Sequence, residues 1–338
     1  MSINLKLPAI VASLAAATLV LAGCAAPGES TADAASGSDA AFPVTLEHAF
    51  GETTIEAAPE RVVTWGWGST EAALAVGVVP VAMPFQSYGG DENGILPWTA
   101  EKLEELGAET PEVLPDATDE LPFEDIAAAE PDLILAVFSG ITAEDYELLS
   151  EIAPTVAYVG EAWTTPWKDV VTTVGDALGR SAEAEAVLAD IDEQLATAAA
   201  EHPELEGKTV AAVSDVAGTF YVYKKADARV EFLFDLGLES APSVDELSNG
   251  DSTFYYTLSY EQLDKLEADI LISYSDTQDE ADAFLSSSHG LAIPAVKSGA
   301  VASVVGTEFV AAVSPPTALS LTWGLDGLVE LLSAAASR

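Results

Sequence analysis

The 338-residue chain has one cysteine, Cys24, and three histidines, His48, His202 and His289. A single thiol excludes an internal disulfide, so the fold must be held by packing. Histidines this far apart offer no paired ligand spacing for zinc or manganese. There is no H-E-x-x-H, no C-x-x-C, no G-x-S-x-G nucleophile elbow and no P-loop, which argues against the common hydrolytic, redox and nucleotide-driven activities. Cations are scarce too: 12 Lys+Arg stand against 56 Asp+Glu, a formal net charge of −44. Such a body repels nucleic acid and anionic lipid, and neither is expected as a partner. Beyond the N-terminal region no apolar run is long enough to span a bilayer.

What is present begins with Leu7–Leu21, an almost unbroken Ala/Leu/Val/Ile run behind Lys6. About fifteen apolar residues are too few for a comfortable span of roughly twenty and suit a signal-peptide core. The run ends in Leu21-Ala22-Gly23-Cys24, which resembles the lipobox of bacterial lipoproteins. That resemblance implies cleavage before Cys24, a diacylglycerol on its sulfur and a lipid-anchored protein on the extracytoplasmic side of the cell membrane. Residues 1–23 are then a signal peptide. Residues 24–41, with no aromatic residue and no hydrophobic period, are a flexible tether.

The folded part starts near Phe42. "VTLEHAFGETTIE" alternates around Phe50-Gly51 and predicts a hairpin. The apolar runs "RVVTWGW", "VVPVAM", "DLILAVF" and "TVAYV" then alternate with helical segments. These are "GSTEAALAVG", with Ser69 or Thr70 as N-cap and Gly77 closing it, "TAEKLEELG", "FEDIAAAE" and "TAEDYELLSEIAP", capped by Thr142. Such alternation predicts a parallel sheet covered on both faces. "WKDVVTTVGDALG" and a long Ala/Glu-rich helix up to Pro203 follow. Strands then resume with "KTVAAVSD", "TFYVYKK", "ILISYS" and "AVASVV". Helices are expected at "RVEFLFDLG", ending at Gly237, at "SYEQLDKLEAD", capped by Ser259, and over "PPTALSLTWGLDGLVELLSAA", starting with proline. The fold class is α/β: two Rossmann-like lobes, 42–180 and 204–338, with central, mainly parallel sheets joined by one helix over 181–203.

From about Phe42 to the C-terminus the chain resembles the solute-binding lipoproteins of bacterial ABC importers, in the iron–siderophore branch with two lobes joined by one helix (class III periplasmic-binding proteins). The resemblance rests on the order and spacing of "HAFGETTIEAAPERVVTWGWGSTEAALAVGVVPVA", "FEDIAAAEPDLILAVFSGITAEDYELLSEIAPTVAY", "YEQLDKLEADILI" and "SPPTALSLTWGLDGLVELL". It implies a monomeric receptor rather than an enzyme, without a cofactor and with no metal held directly. It would take a ferric siderophore whose iron is held by the siderophore, and pass it to a permease with a cytoplasmic ATPase. Heme and cobalamin are the alternative ligands of this fold, and a secreted enzyme of unknown activity is the remaining one. In the related cobalamin importer one glutamate on each lobe meets arginines of the permease. The matching positions are Glu124 in "FEDIAAAEPDLILA" and Glu261 in "YEQLDKLEADILI".

In open α/β sheets, ligands sit beyond the carboxyl ends of the strands. The segments there are "WGWGST", "MPFQSYGG", "FSGIT", "SDVAGTFYVY" and "SYSDT". Candidate ligand-binding residues are therefore Trp65 and Trp67, Tyr88 beside Gly89-Gly90, Phe138, Tyr221 and Tyr223 on one strand face, Arg229 and the loop residue Tyr256. Charge narrows the ligand. Ferric tris-catecholates carry about three negative charges, and burying them unpaired is costly. Only Lys224, Lys225 and Arg229 cluster near a cleft-side segment, so a neutral or slightly positive hydroxamate chelate fits better.

Overall fold

The computed structural model describes residues 42–116, 121–250, 252 and 254–338. The signal, the tether and Cys24 lie outside the described residues. An antiparallel hairpin, β1 (Val44–His48) and β2 (Gly51–Ile55), opens the described chain. The first α/β half comprises β3 (Val62–Thr64), α1 (Ser69–Ala75), β4 (Ala82–Met83), α2 (Pro97–Leu106) and β5 (Glu112–Val113). It continues through α3 (Phe123–Ala128), β6 (Leu133–Ala136), α4 (Ala143–Ile152) and β7 (Thr155–Ala157).

Its five described strands pair in parallel in the order β5-β4-β3-β6-β7. β3, β6 and β7 are buried at every position, as strands covered on both faces must be. From β3 the chain winds outward to β5, then returns to place β6 on the other side of β3. The strand order therefore reverses between β3 and β6, which puts the loops Trp65–Gly68 and Phe138–Ile141 at a topological switch point. The two loops touch: Trp67 N–H donates to Phe138 O at 2.9 Å. A Cβ on Gly66 would stand 2.3 Å from that same carbonyl oxygen, so only glycine allows this approach.

Helix α5 (Trp167–Ala177) buries Trp167, Val170, Val171 and Val174, the i, i+3, i+4, i+7 stripe of a half-buried helix. The long Ala/Glu-rich segment is α6 (Ser181–Glu201), which buries only Ala184, Ile191 and Leu195. The second half contains β8 (Thr209–Val216), β9 (Thr219–Tyr223), α7 (Ala228–Glu231), β10 (Glu239–Ser240), α8 (Pro242–Glu246) and β11 (Tyr255–Thr257). After it come β12 (Ile270–Ser275), α9 (Gln278–Ser286), α10 (Pro294–Ser298), β13 (Val301–Val305), α11 (Thr307–Val313) and α12 (Ser320–Ala336). One apolar core runs from β3 and α1 through α5 and α6 to β8, β12 and α12. Each fully buried Leu or Val there contributes about 1.5–3 kcal/mol.

The second sheet is mixed. β8, β12 and β13 are parallel neighbours, and β10 pairs in parallel with the start of β8. β9 runs antiparallel to both its neighbours, β8 and β11; Ala217 and Gly218, with φ of 50° and 82°, close a two-residue turn that folds β9 straight back on β8.

Four local expectations are corrected. Helix α1 is entered through Gly68 at φ 80° without a side-chain cap; Ser69 and Thr70 are buried, and Thr70 bonds Thr64 at 2.8 Å. Tyr260–Lys265 is a 3-10 turn, and Ser259 gives it no side-chain cap. The "RVEFLFDLG" helix is α7 followed by a 3-10 turn over Phe232–Leu236. The prolines at 315 and 316 precede rather than start the terminal helix, which begins at Ser320. Thr142 caps α4 as expected, in a reciprocal box with Asp145.

Candidate functional site

Two cavities open where the strand ends of the two halves meet, and Arg229 belongs to the wall of both. The larger, about 530 Å³, is bounded by Tyr88 from the first half and, from the second, by Tyr223, Tyr260, Tyr274, Asp215, Asp276, Glu280 and His289. The smaller, about 270 Å³, has Phe138 and Trp163–Pro166 on one side and Ala226–Arg229, Phe254 and Pro315 on the other. The larger has the size of a small-molecule site, and the smaller falls just below that range.

The position of Arg229 is fixed from within its own turn. Asp227, 4% exposed, caps α7 by accepting the Arg229 backbone N–H at 3.0 Å and its Nε–H at 2.6 Å. The guanidinium lies 3.9 Å from the centre of the Tyr223 ring, a cation–π contact. Burial works against the Arg229 charge, but Asp227 and the nearby Tyr223 and Tyr274 outweigh it and hold its pKa above the ordinary value. Burial raises the Asp227 carboxyl, against the pull of Arg229.

Phenols line the rest of the larger cavity. Tyr223 shares a 2.7 Å hydrogen bond with Ser214 across the β8–β9 pair. Tyr260 O–H donates to Asp215 at 2.6 Å; burial and this contact push its pKa up to about 12. His289 packs on Tyr260 with ring centres 4.3 Å apart and planes tilted by 40°, its Nε2 3.4 Å from Asp215. Tyr88 O–H donates to Asp276 at 2.6 Å, and burial with that carboxylate holds the phenol far above its usual range.

In the smaller cavity Trp163 is the exceptional residue. It is 50% exposed and sits at φ 61°, a left-handed conformation uncommon for a bulky side chain. Its backbone N–H donates to Ser139 O at 3.2 Å, and its ring meets Phe138 edge-on at 5.5 Å. The indole lies against Gly140, where a Cβ would come within 2.4 Å of its Nε1.

Of the sequence candidates, the structure brings Tyr88, Phe138, Tyr223 and Arg229 to these cavities. Trp67 is half-buried behind them, with Nε1–H donating to Pro315 O at 3.1 Å. Trp65 packs against the core beneath the first sheet. Tyr221 shares the face of Tyr223, but its ring meets Tyr255 at 5.7 Å and it is absent from both walls. Tyr256 is a correction: it is 0% exposed in the core of the second half, because the alternation of β11 turns it away from the face of Tyr221 and Tyr223. The sequence reading missed Trp163, Tyr260, Tyr274 and His289. Tyr274 lies near the end of β12, where the same rule that selected Phe138 reaches it.

Lys224, Lys225, Lys168 and Arg61 are engaged outside the two cavities. Lys224 donates to Ser252 O at 2.9 Å, Lys225 pairs with Asp245 at 3.5 Å, and Lys168 pairs with Asp192 and Asp235 at 2.8 and 3.5 Å. Arg61 bonds the carbonyls of Ala129 and Glu130 at the amino end of the first sheet. Among the described residues no group of three or more His, Cys, Asp and Glu side chains forms a metal site. No described helix is long and apolar enough to cross a membrane.

Two α/β halves joined through a helix, with a ligand-sized cleft at facing strand ends, define a solute-binding protein. Residues 62–304 match the periplasmic binding protein family, and the chain belongs to that family, whose members bind solutes rather than turn them over. It is 29% identical over 300 residues to a Bacillus subtilis (strain 168) protein described as "Probable siderophore-binding lipoprotein YfiY", covering 84% of this chain and 86% of that one. An Escherichia coli protein, the ferric enterobactin-binding periplasmic protein FepB, is 26% identical over 79% of this chain and 85% of its own. Among solved structures, Streptococcus pneumoniae PiaA in complex with ferrichrome superposes with a TM-score of 0.78 at 36% identity, covering 87% of this chain and 98% of that one.

Proposed function

We propose that the chain is the extracytoplasmic binding component of an ABC importer and that its ligand is a ferric siderophore of the hydroxamate type. The observation that carries this reading is the placing of Arg229 between two cavities with phenolic and aromatic walls. A hydroxamate chelate presents oxygens that accept hydrogen bonds from a guanidinium fork and from tyrosine hydroxyls. Trp163, Phe138 and Phe254 would cover its organic framework. Asp215, Asp276 and Glu280 line the larger cavity, so a triply anionic catecholate would meet repulsion there. The names of the Bacillus and Escherichia coli relatives support a siderophore, and the PiaA–ferrichrome complex supports the hydroxamate type.

Attachment through an acylated Cys24, and docking on the permease through Glu124 and Glu261, complete the proposal. The lipoprotein name of the Bacillus relative supports the first. Both glutamates are exposed, one on the first turn of α3 and one in the 3-10 turn before β12.

The test is tryptophan fluorescence quenching against ferric hydroxamates, ferric catecholates, heme and cobalamin. Trp163, on the cavity wall, supplies a local reporter. Ferric hydroxamates should bind at least tenfold tighter than catecholates, a difference of about 1.4 kcal/mol or more. Equal or reversed affinities would reject the hydroxamate type, and tight binding of heme or cobalamin alone would replace the siderophore.

A further inference from the structure

The larger cavity carries more negative charge than a neutral chelate requires. Asp215, Asp276 and Glu280 line it, and Arg229, the one Lys or Arg among its described lining residues, is already matched by Asp227 at 2.6 Å. β8 and β12 are parallel neighbours with Ser214 opposite Tyr274, so Asp215 and Asp276 leave adjacent strand ends. Asp215 stands inside, its side chain 15% exposed; Asp276 and Glu280 stand exposed at the mouth beside Tyr88.

A second observation points to a polar ligand in the same cavity. Tyr274 is 6% exposed and lines the wall, and its hydroxyl has no hydrogen-bond partner among the described residues. Its ring meets Tyr223 edge-on at 6.1 Å, and Tyr223 in turn carries the Arg229 guanidinium at 3.9 Å. A buried hydroxyl on a cavity wall is unfavourable unless an oxygen that enters the cavity pairs with it, and a ligand oxygen can take that place. The wall therefore holds donors, Arg229 and Tyr274 O–H, together with an excess of acceptor carboxylates.

We propose that the cavity selects a ferric hydroxamate bearing a free ammonium group, whose chelate oxygens meet Arg229 and Tyr274 and whose ammonium meets Asp276, Glu280 and Asp215. The inference rests on the hydroxamate reading and sharpens it. Opposite charges attract more strongly at a half-enclosed wall than in water. A neutral ligand would strip water from the carboxylates without replacing it, so the discrimination acts twice.

The test compares ferrioxamine B, a linear ferric tris-hydroxamate with a free primary ammonium, with its N-acetyl derivative, which keeps the iron coordination and loses the charge. The wild-type protein should bind the ammonium form at least tenfold tighter. The ratio should shrink as ionic strength rises from about 0.01 M to about 1 M, where the Debye length falls from about 30 Å to about 3 Å. In Asp276→Asn/Glu280→Gln, whose side chains keep an oxygen for the Tyr88 hydroxyl and for the Thr277 N–H that Glu280 accepts at the start of α9, the ratio should drop below about threefold. Equal affinities with both chelates bound would overturn the inference while leaving the hydroxamate reading intact. A ratio unchanged in the double variant would overturn its assignment to these carboxylates. Failure of both chelates to bind would overturn the hydroxamate reading as well.

Discussion

Tyr88 Oη and Asp276 Oδ1, separated by 188 residues, are joined by a 2.6 Å hydrogen bond across the mouth of the larger cavity. One residue comes from the loop after β4, the other from the end of β12, so the bond ties the two halves at their open edge. Deeper in the cleft a second tie, Trp67 Nε1–H to Pro315 O at 3.1 Å, does the same with a backbone acceptor. The outer tie uses two side chains that also line the larger cavity, so a ligand taken up there would draw on the groups that join the two halves.

Tyr88→Phe removes the hydroxyl and little else. A hydrogen bond to a carboxylate contributes about 1.5–3 kcal/mol when shielded, and 39% exposure places Tyr88 at or below the low end. Ferric hydroxamate affinity should fall by about three- to tenfold with the melting temperature nearly unchanged. Quenching titrations beside a calorimetric melt decide it, and an undiminished affinity would show that this tie does not serve ligand retention.

The Asp227–Arg229 pair predicts a non-additive pattern. Arg229→Ala strands a carboxylate that is 4% exposed, which typically costs about 3–5 kcal/mol, and it removes the cation shared by both cavities. Asp227→Ala/Arg229→Ala should recover a large part of the stability while binding stays lost. Urea denaturation and ligand titration of the three proteins separate the two effects. A single variant as stable as wild type would mean that the buried pair is not coupled.

His48 gives the fold an acid-sensitive point away from the cleft. The residue is 8% exposed; its Nε2 lies 2.9 Å from Thr53 Oγ1, whose own proton goes to Thr155 O at 2.6 Å, and its Nδ1 accepts the Phe50 N–H at 3.2 Å. This network assigns the neutral Nε2–H tautomer. Burial lowers the His48 pKa below its ordinary value. The unfolded chain then binds the extra proton first as pH falls, so stability rises with pH through the unfolded histidine range near 6.5 and is lost below it. Unfolding free energy should decline from about pH 7 to about pH 5, with a shallower slope in His48→Gln. Equal slopes would assign the acid sensitivity to other groups.

Much of the architecture was legible because it follows from period and burial. "DLILAVF" reads as a doubly covered strand, and β6 is buried throughout. The T-x-x-D spacing at Thr142 names a cap that forms. What was hidden depends on tertiary context. Nothing local says that Gly68 rather than Ser69 opens α1, because Ser69 is drawn into the core. At the site, strand alternation paired Tyr223 with Tyr221 correctly, but which of the two faces the cavity depends on Tyr255 covering the other. Trp163 escaped because its role depends on a left-handed backbone over Gly140, which no spacing announces.

Docking gives the last prediction. Glu124, on the first turn of α3, and Glu261, in the Tyr260–Lys265 turn, are both exposed, and each precedes a central strand of its own half, β6 and β12. A glutamate on a first helical turn is also favoured by the helix dipole, so position alone leaves a purely local role open. Removing an exposed glutamate changes stability by about 0.5 kcal/mol or less. Losing two charged contacts that become desolvated against permease arginines would instead weaken the complex by several kcal/mol, roughly 2–5 per pair. Glu124→Ala/Glu261→Ala should therefore bind its siderophore with wild-type affinity, melt at nearly the wild-type temperature and fail to support uptake in cells. The charge-retaining Glu124→Asp/Glu261→Asp should recover part of that uptake. Wild-type uptake by the alanine variant would remove docking from these residues, whereas lost ligand binding would place them in the fold.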